Sequence, residues 1–242
     1  MADGGSARRV ALVTGAGSGL GAATVRALID AGYAIAALDV DPSRLSALAG
    51  QPETLALACD ITDAGAVDAR VADIVTRFGR IDVAINCAGV DHTYWLEQLT
   101  LAQFDQIIAV NLRGPFVVAK AVWPVMKRQG GGQIVNIAST AALRVWPGAS
   151  AYHASKFGVL GLSRALNLEG RSDGIRVMTV IPGGMDTRFF DRFKDQNIPQ
   201  PDPGSLQSPA NVARTIVYAL GMPADSVLQE IVITHPDEPG WP

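Results

Sequence analysis

Short apolar runs alternate with longer stretches of helical periodicity along nearly the whole chain. Residues 10–13 are apolar throughout and stop at Thr14-Gly15. Residues 20–31 repeat apolar positions at helical spacing and stop at Gly32, before a second apolar run, 33–38, that ends in Asp39. The same alternation predicts a short helix over 43–49, a strand over 55–58, a helix over 64–78 and a strand over 81–85. A long helix follows over 101–129, with punctuation at Gly114-Pro115 and Pro124. Then come a strand over 133–138, a long helix over 149–169 closed by Gly174, and a strand over 175–181. A Pro-rich irregular segment leads to a helix over 209–220 and a last strand over 230–234. Short apolar strands that alternate with helices are the pattern of a parallel sheet buried on both faces. The predicted fold is therefore α/β: one doubly wound Rossmann-type domain over 1–242, a seven-stranded parallel sheet with helices on both faces. Residues 1–8 are expected to be a flexible N-terminus.

Composition narrows the function classes. The chain has 242 residues, 48% of them hydrophobic and 18% charged, with a net charge of -3. No basic block points to nucleic acid or to an anionic membrane. No apolar run approaches the ~18–20 residues of a membrane span, and the polar, Gly-rich start is no signal peptide. The expected setting is cytoplasmic. Cys59 and Cys87 each end an apolar run and read as small buried residues rather than a disulfide. His92, His153 and His235 are not at ligand spacing, so no metal is expected.

Two local patterns carry chemistry. Thr14-Gly15-Ala16-Gly17-Ser18-Gly19-Leu20-Gly21 joins the first strand to the first helix. Glycines there permit a tight turn and close backbone approach to a pyrophosphate at the positive helix N-terminus. Asp39 ends the second strand, about 20 residues on. A carboxylate there accepts from both ribose hydroxyls of adenosine and repels a 2′-phosphate, which favours NAD over NADP; Arg44 is the nearby cation that opposes this reading. The second pattern is Tyr152-His153-Ala154-Ser155-Lys156, a tyrosine and a lysine one helical turn apart on one face. A free phenol, with a pKa near 10, is a poor proton carrier at neutral pH, and a nearby ammonium favours the phenolate.

With these in place the chain resembles the short-chain dehydrogenase/reductase family, from about residue 10 to residue 234. The resemblance implies a set of site residues. In Cys59-Asp60-Ile61-Thr62, Asp60 is similar to the residue that binds the adenine amino group, with Ile61 beside it. Asn86-Cys87-Ala88-Gly89 is similar to an Asn-Asn-Ala-Gly motif that stabilises the sheet and borders the cofactor; Cys87 departs from it, and Asn86, Ala88 and Gly89 keep the role. Pro182-Gly183, with Thr187 further on, is similar to the segment that closes on the nicotinamide. The implied cofactor contacts are thus Gly15, Ser18, Gly19, Leu20, Asp39, Asp60, Ile61, Asn86, Ala88, Gly89, Pro182, Gly183 and Thr187, together with Tyr152 and Lys156. The implied catalytic set is Asn111, Ser139, Tyr152 and Lys156. Tyr152 is the general acid/base and Ser139 a hydroxyl that bonds the same substrate oxygen. Lys156 lowers the Tyr152 pKa and holds the nicotinamide ribose, and Asn111 holds a water leading to solvent.

The expected activity is hydride transfer between NAD and a secondary alcohol or ketone, on a small-molecule substrate. Alternatives are an NADP-dependent carbonyl reductase, a nucleotide-sugar epimerase or dehydratase, and a non-catalytic dinucleotide-binding sensor or scaffold. Substrate-lining candidates follow strands four, five and six: Asp91, His92, Thr93, Tyr94 and Trp95; Leu143, Arg144, Val145 and Trp146; and Gly184, Met185, Arg188, Phe189, Phe190 and Phe193. Arg144 and Arg188 are candidates to hold an anionic group, with solvated arginine as the alternative. Residues 186–207 read as a substrate lid or a static loop. Trp241 either docks on another subunit or covers the chain's own core. The family pairs through the helices that carry Asn111 and Tyr152, so a homodimer or homotetramer is expected.

Overall fold

The fold was analysed in a computed structural model, which describes residues 8–196 and 198–238. The expectations for residues 1–8 and for Trp241 lie outside those residues, apart from Arg8. Strands β1 (Val10–Thr14), β2 (Ala34–Asp39), β3 (Thr54–Ala58), β4 (Val83–Asn86), β5 (Gly132–Ile137), β6 (Ile175–Pro182) and β7 (Glu230–Ile233) form one sheet in the order β3-β2-β1-β4-β5-β6-β7. Every neighbouring pair is parallel. The doubly wound fold read from the apolar pattern is the fold observed.

Two cores account for the strand composition. On one face, helices α2 (Ala64–Phe78), α4 (Gly114–Arg128) and α5 (Ser150–Glu169) pack over residues such as Leu12, Ala36 and Ile134. On the other, α1 (Gly19–Asp30) and α7 (Pro209–Leu220) pack over Val13, Ile35, Val135 and Val180. Alternate residues of β1 and β2 thus enter opposite cores, and both strands are buried at every position.

The long helix expected over 101–129 is interrupted directly before Gly114-Pro115, as its punctuation suggested, and not at Pro124. It comprises α3 (Leu101–Ile108), a π-helical turn at Ala109–Arg113, and α4. Pro115 occupies the first turn of α4, where a missing N–H costs least, and Pro124 lies inside α4 on its exposed side. The π turn brings in Asn111. Strand β4 begins at Val83, not at residue 81. The Ile81 N–H donates to Gln129 Oε1 (3.3 Å) and its carbonyl accepts from Gln129 Nε2 (2.5 Å), so a side chain takes the place of a ladder partner. The segment over 186–207 is not structureless. It holds a 3₁₀ turn at Arg188–Phe190, the short helix α6 (Arg192–Asp195) and a turn at Pro203–Ser205, and the Met185–Gln207 bridge closes its base.

Candidate active site

A cleft of about 1470 Å³ opens at the C-terminal ends of the strands, where β1 and β4 adjoin. Helix α1, after β1, covers one face, and α4, after β4, covers the other, which leaves a crevice between them. One end of the cleft is the turn between β1 and α1. Gly15 has φ 63°, a left-handed conformation that favours glycine, and a Cβ there would sit 2.8 Å from the Ala88 Cα. A Cβ at Gly21 would overlap the Gly15 carbonyl. This close packing of loop, helix and β4 needs glycine at those positions, and it leaves backbone lining the cleft. Asp39 is buried at the end of β2; its Oδ2 accepts from the Gly17 N–H and its Oδ1 from the Asp41 N–H, both at 3.0 Å. Each carboxylate oxygen retains a further lone pair. Arg44 lines the same end, with its Nε 3.1 Å from Asp41 Oδ2.

All but one of the expected cofactor contacts line this one cleft: Gly15, Ser18, Gly19, Leu20, Asp39, Asp60, Ile61, Ala88, Gly89, Tyr152, Lys156, Pro182, Gly183 and Thr187. Asp60 does not cap α2, because Asp63 does so by accepting from the Ala66 N–H (3.1 Å). Asn86 lies behind the wall. Its Nδ2 donates to Asn136 Oδ1 (2.8 Å), Asn136 Nδ2 donates to Ser163 Oγ (2.9 Å), and Ser163 Oγ donates to the Val159 carbonyl (2.7 Å). This chain of bonds ties β4 and β5 to α5, the helix that carries Tyr152 and Lys156.

The other end of the cleft gathers Ser139, Tyr152 and Lys156. Ser139 follows β5 and caps a 3₁₀ turn, Thr140–Ala142, by accepting from the Ala141 N–H (3.2 Å). Its hydroxyl bonds the Tyr152 side chain and favours the phenolate. Burial and the negative charge of Asp91 act the other way and dominate, so the Tyr152 pKa is raised. The Lys156 Nζ donates to the Ile137 carbonyl (2.9 Å) and stands 5.5 Å from the Tyr152 ring centroid. Burial brings the Lys156 pKa down to about 8. The spacing places the amine beside the phenol, and burial, which disfavours the charged form of each, dominates the shifts of both groups.

Asn111 does not line the cleft. It is buried, its Oδ1 accepts from the Val90 N–H (2.8 Å), and its Nδ2 donates to the Val90 carbonyl (2.8 Å) and to Ser155 Oγ (3.1 Å). The π turn therefore holds the loop after β4 against α5. His153 does comparable work on the loop after β5. Its Nε2 accepts from the Trp146 N–H (3.1 Å) and its Nδ1 bonds the Ala141 carbonyl (2.9 Å), a pairing that suits the neutral ring with its proton on Nδ1. Burial pushes the Cys87 thiol up to about 12, so this wall group is a neutral thiol and no nucleophile.

The substrate side differs in part from the sequence reading. Asp91, Thr93, Arg144, Val145, Trp146, Gly184, Met185, Arg188, Phe189, Phe190 and Phe193 line the cleft, whereas His92, Tyr94, Trp95 and Leu143 do not. Two lining residues carried no local signal. Arg192 on α6 reaches Asp91 Oδ2 (2.5 Å) and lies over the Phe189 and Phe193 rings. Glu238, beyond β7, accepts from Arg144 Nη2 (2.5 Å), the Gly184 N–H (3.0 Å) and Thr140 Oγ1 (3.4 Å).

A model of the short chain dehydrogenase family matches residues 9–198. The chain belongs to the short-chain dehydrogenase family. This family member is accordingly an oxidoreductase that binds a nicotinamide dinucleotide and acts on alcohol or carbonyl groups. The chain is 43% identical, over 179 residues, to a D-threitol dehydrogenase of Mycolicibacterium smegmatis, which covers 72% of this chain and 69% of that one. In fold it is similar to an alcohol dehydrogenase of Thermococcus sibiricus complexed with 5-hydroxy-NADP (TM-score 0.86, 28% identical, 97% of this chain and 100% of that one). It is similar also to a 3-ketoacyl-(acyl-carrier-protein) reductase of Brucella melitensis complexed with NADH (TM-score 0.86, 28% identical, 96% and 100%).

The buried lysine of this short-chain dehydrogenase has a measurable signature. Its folded pKa lies below the ordinary 10.5, so between about pH 8 and pH 10.5 the unfolded chain binds more protons than the folded one. The cost of burying the ammonium is fully present below about pH 8 and is relieved as the pH rises. Urea unfolding of wild type and Lys156→Met is expected to show their stability difference moving toward wild type by on the order of 2 kcal/mol between about pH 7 and about pH 9.5. A difference that stays flat with pH would show that Lys156 carries no such burial cost.

Proposed function

We propose that the protein is an NAD-dependent dehydrogenase of secondary alcohols, or reductase of the matching ketones, with Tyr152 as its general acid/base. The observation that carries this reading is the convergence of the Ser139 and Tyr152 side chains and Lys156 at one end of a cleft whose other end is the glycine turn and Asp39. The glycine-only approach of loop to helix, and the lone pairs left on Asp39, fit a dinucleotide at that end. When bound, that dinucleotide supplies the hydride acceptor or donor.

In oxidation, a dinucleotide held by the glycine turn and Asp39 would accept the hydride, with its two electrons, from the substrate carbinol carbon. The substrate oxygen gives its proton to Tyr152, whose phenolate the Ser139 hydroxyl favours against the effect of burial, and the product is a ketone. Reduction reverses each transfer, with the protonated Tyr152 as donor. Ser139 bonds the same substrate oxygen and favours the charge that develops there. Lys156, held by the Ile137 carbonyl, keeps an N–H donor beside Tyr152 for the ribose hydroxyls. Asn111 and Asn86 act behind the wall: the first fixes the β4 loop on α5, the second fixes α5 on the sheet. Asp39 supports NAD over NADP, and Arg44, the opposing cation, forms only an exposed pair with Asp41.

Incubating the protein with NAD or NADP and a panel of secondary alcohols, and with the reduced cofactors and ketones, tests this reading. The absorbance of the reduced nicotinamide is expected to rise or fall with NAD(H). Dinucleotide binding without turnover across the panel would instead support a non-catalytic binding protein.

A further inference from the structure

The substrate half of the cleft is charged, yet its charges are internally matched. Among the described residues that line it, Arg144 pairs with Glu238 (2.5 Å), Arg192 with Asp91 (2.5 Å) and Arg188 with Asp191 (3.2 Å). The Arg144 and Arg192 pairs are largely buried; the carboxylate side chains of Glu238 and Asp91 are only 8% and 4% exposed. An anionic substrate that used Arg144 or Arg192 would have to displace a buried carboxylate from its guanidinium, and the displaced carboxylate would then lie buried without its counter-charge. Of the two arginines that the sequence offered for an anion, Arg144 is thus committed to a buried partner, and Arg188 stands at the exposed rim of the cleft. The rest of the wall, with Trp146, Met185, Phe189, Phe190 and Phe193, suits an uncharged carbon skeleton.

The Asp91–Arg192 pair is matched in charge but not in hydrogen bonds. Asp91 Oδ2 accepts from Thr93 Oγ1 (3.0 Å) and from Arg192 Nη2, while Asp91 Oδ1 is buried with no partner. Arg192 Nε is likewise buried with no partner. One unused acceptor and one unused donor therefore sit on a single ion pair in the cleft wall. A buried polar atom without a partner costs free energy that a ligand can recover. A hydroxyl is the neutral group that can both donate and accept. Arg192 links Asp91 to the reacting end of the cleft: its guanidinium lies 4.1 Å from the Phe189 ring centroid, which is 5.8 Å from that of Tyr152.

We propose that the substrate is a neutral diol or polyol: one hydroxyl reacts at Tyr152 and Ser139, and a second donates to Asp91 Oδ1 beside Arg192. The proposal rests on the alcohol dehydrogenase reading above and adds the substrate class. Asp91 is then a specificity-determining residue. Arg192 belongs to the segment between β6 and α7, so its bond to Asp91 also places that segment over the bound second hydroxyl.

The test compares kcat/KM of the full chain for butane-2,3-diol and butane-1,3-diol, whose two spacings bracket the second hydroxyl, with butan-2-ol and with 3-hydroxybutyrate. Wild type is expected to favour the better diol over butan-2-ol by about tenfold or more, the size of one hydrogen bond to a charged group. It is expected to favour that diol over 3-hydroxybutyrate as well. In Asp91→Ala the diol-to-monool ratio is expected to fall to about one, mainly through KM for the diol. Asp91→Asn, which keeps a carbonyl acceptor, is expected to retain part of the ratio. A wild-type ratio near one, a preference for 3-hydroxybutyrate, or an unchanged ratio in Asp91→Ala would overturn the proposal while leaving the dehydrogenase reading intact. If Asp91→Ala fails to bind NADH, the wild-type ratios and Asp91→Asn decide: a ratio no smaller in Asp91→Asn than in wild type counts against Asp91. Dinucleotide binding with no turnover of any alcohol or ketone would overturn both readings.

Discussion

Replacing Tyr152 with Phe is expected to lower kcat by about 10²–10⁴-fold, the usual contribution of a positioned acid/base, while NADH still binds. The substitution removes one oxygen and keeps the ring, which sits 5.8 Å from Phe189 between their centroids. Packing at the start of α5 is therefore retained. What is lost is the only phenol among the described residues that line the cleft and the partner of the Ser139 hydroxyl. Lys156 keeps its bond to the Ile137 carbonyl, so the lysine does not substitute for the missing proton carrier. Steady-state turnover and the fluorescence of bound NADH separate the two effects. A folded variant that keeps more than about a tenth of wild-type turnover would remove Tyr152 from the acid/base role.

NAD is expected to bind more tightly than NADP by on the order of a hundredfold, and Asp39→Asn to shrink that ratio by about tenfold or more. The carboxylate is buried and aimed by two backbone N–H groups, from Gly17 and Asp41, so it cannot swing away from a 2′-phosphate. Two like charges about 4 Å apart repel by about 4 kcal/mol at the effective dielectric of a protein surface. Asn keeps the side-chain shape and one acceptor but removes the charge. Arg44, the natural counterweight, is exposed and engaged by Asp41 at 3.1 Å. Such exposed pairs contribute only about 0–1 kcal/mol, so Arg44 is not fixed there, and Arg44→Ala alone is expected to move the ratio less than Asp39→Asn. Titration of both dinucleotides into wild type and the two variants measures this. Tighter binding of NADP by wild type would contradict it.

Much of the fold was legible because its signals are local. Each buried strand announces itself by a continuous apolar run, and α2 and α7 occupy the residues their periodicity predicted. The boundaries that moved did so for tertiary reasons. Ile81 is lost to strand β4 because the Gln129 side chain, 48 residues away, takes both of its backbone groups. The helix before α5 changes register at Ala109–Arg113, directly before Gly114-Pro115, and not at Pro124, which lies on the exposed side. Asn111, expected in the active site, lies behind the cleft wall with its side chain bonded to Val90 and Ser155, partners that the chain pattern does not disclose.

By itself the sequence determined the sheet, the glycine turn, Asp39 at the end of β2, and the one-turn spacing of Tyr152 and Lys156, because each depends on residues within a few positions of one another. Only the tertiary structure decided which charges the substrate meets. Arg192 finds Asp91 across 101 positions, and Arg144 finds Glu238 across 94. It also decided how the catalytic groups titrate. Desolvation depends on everything packed around Tyr152 and Lys156, and it is the largest cause of the raised pKa of the one and the lowered pKa of the other.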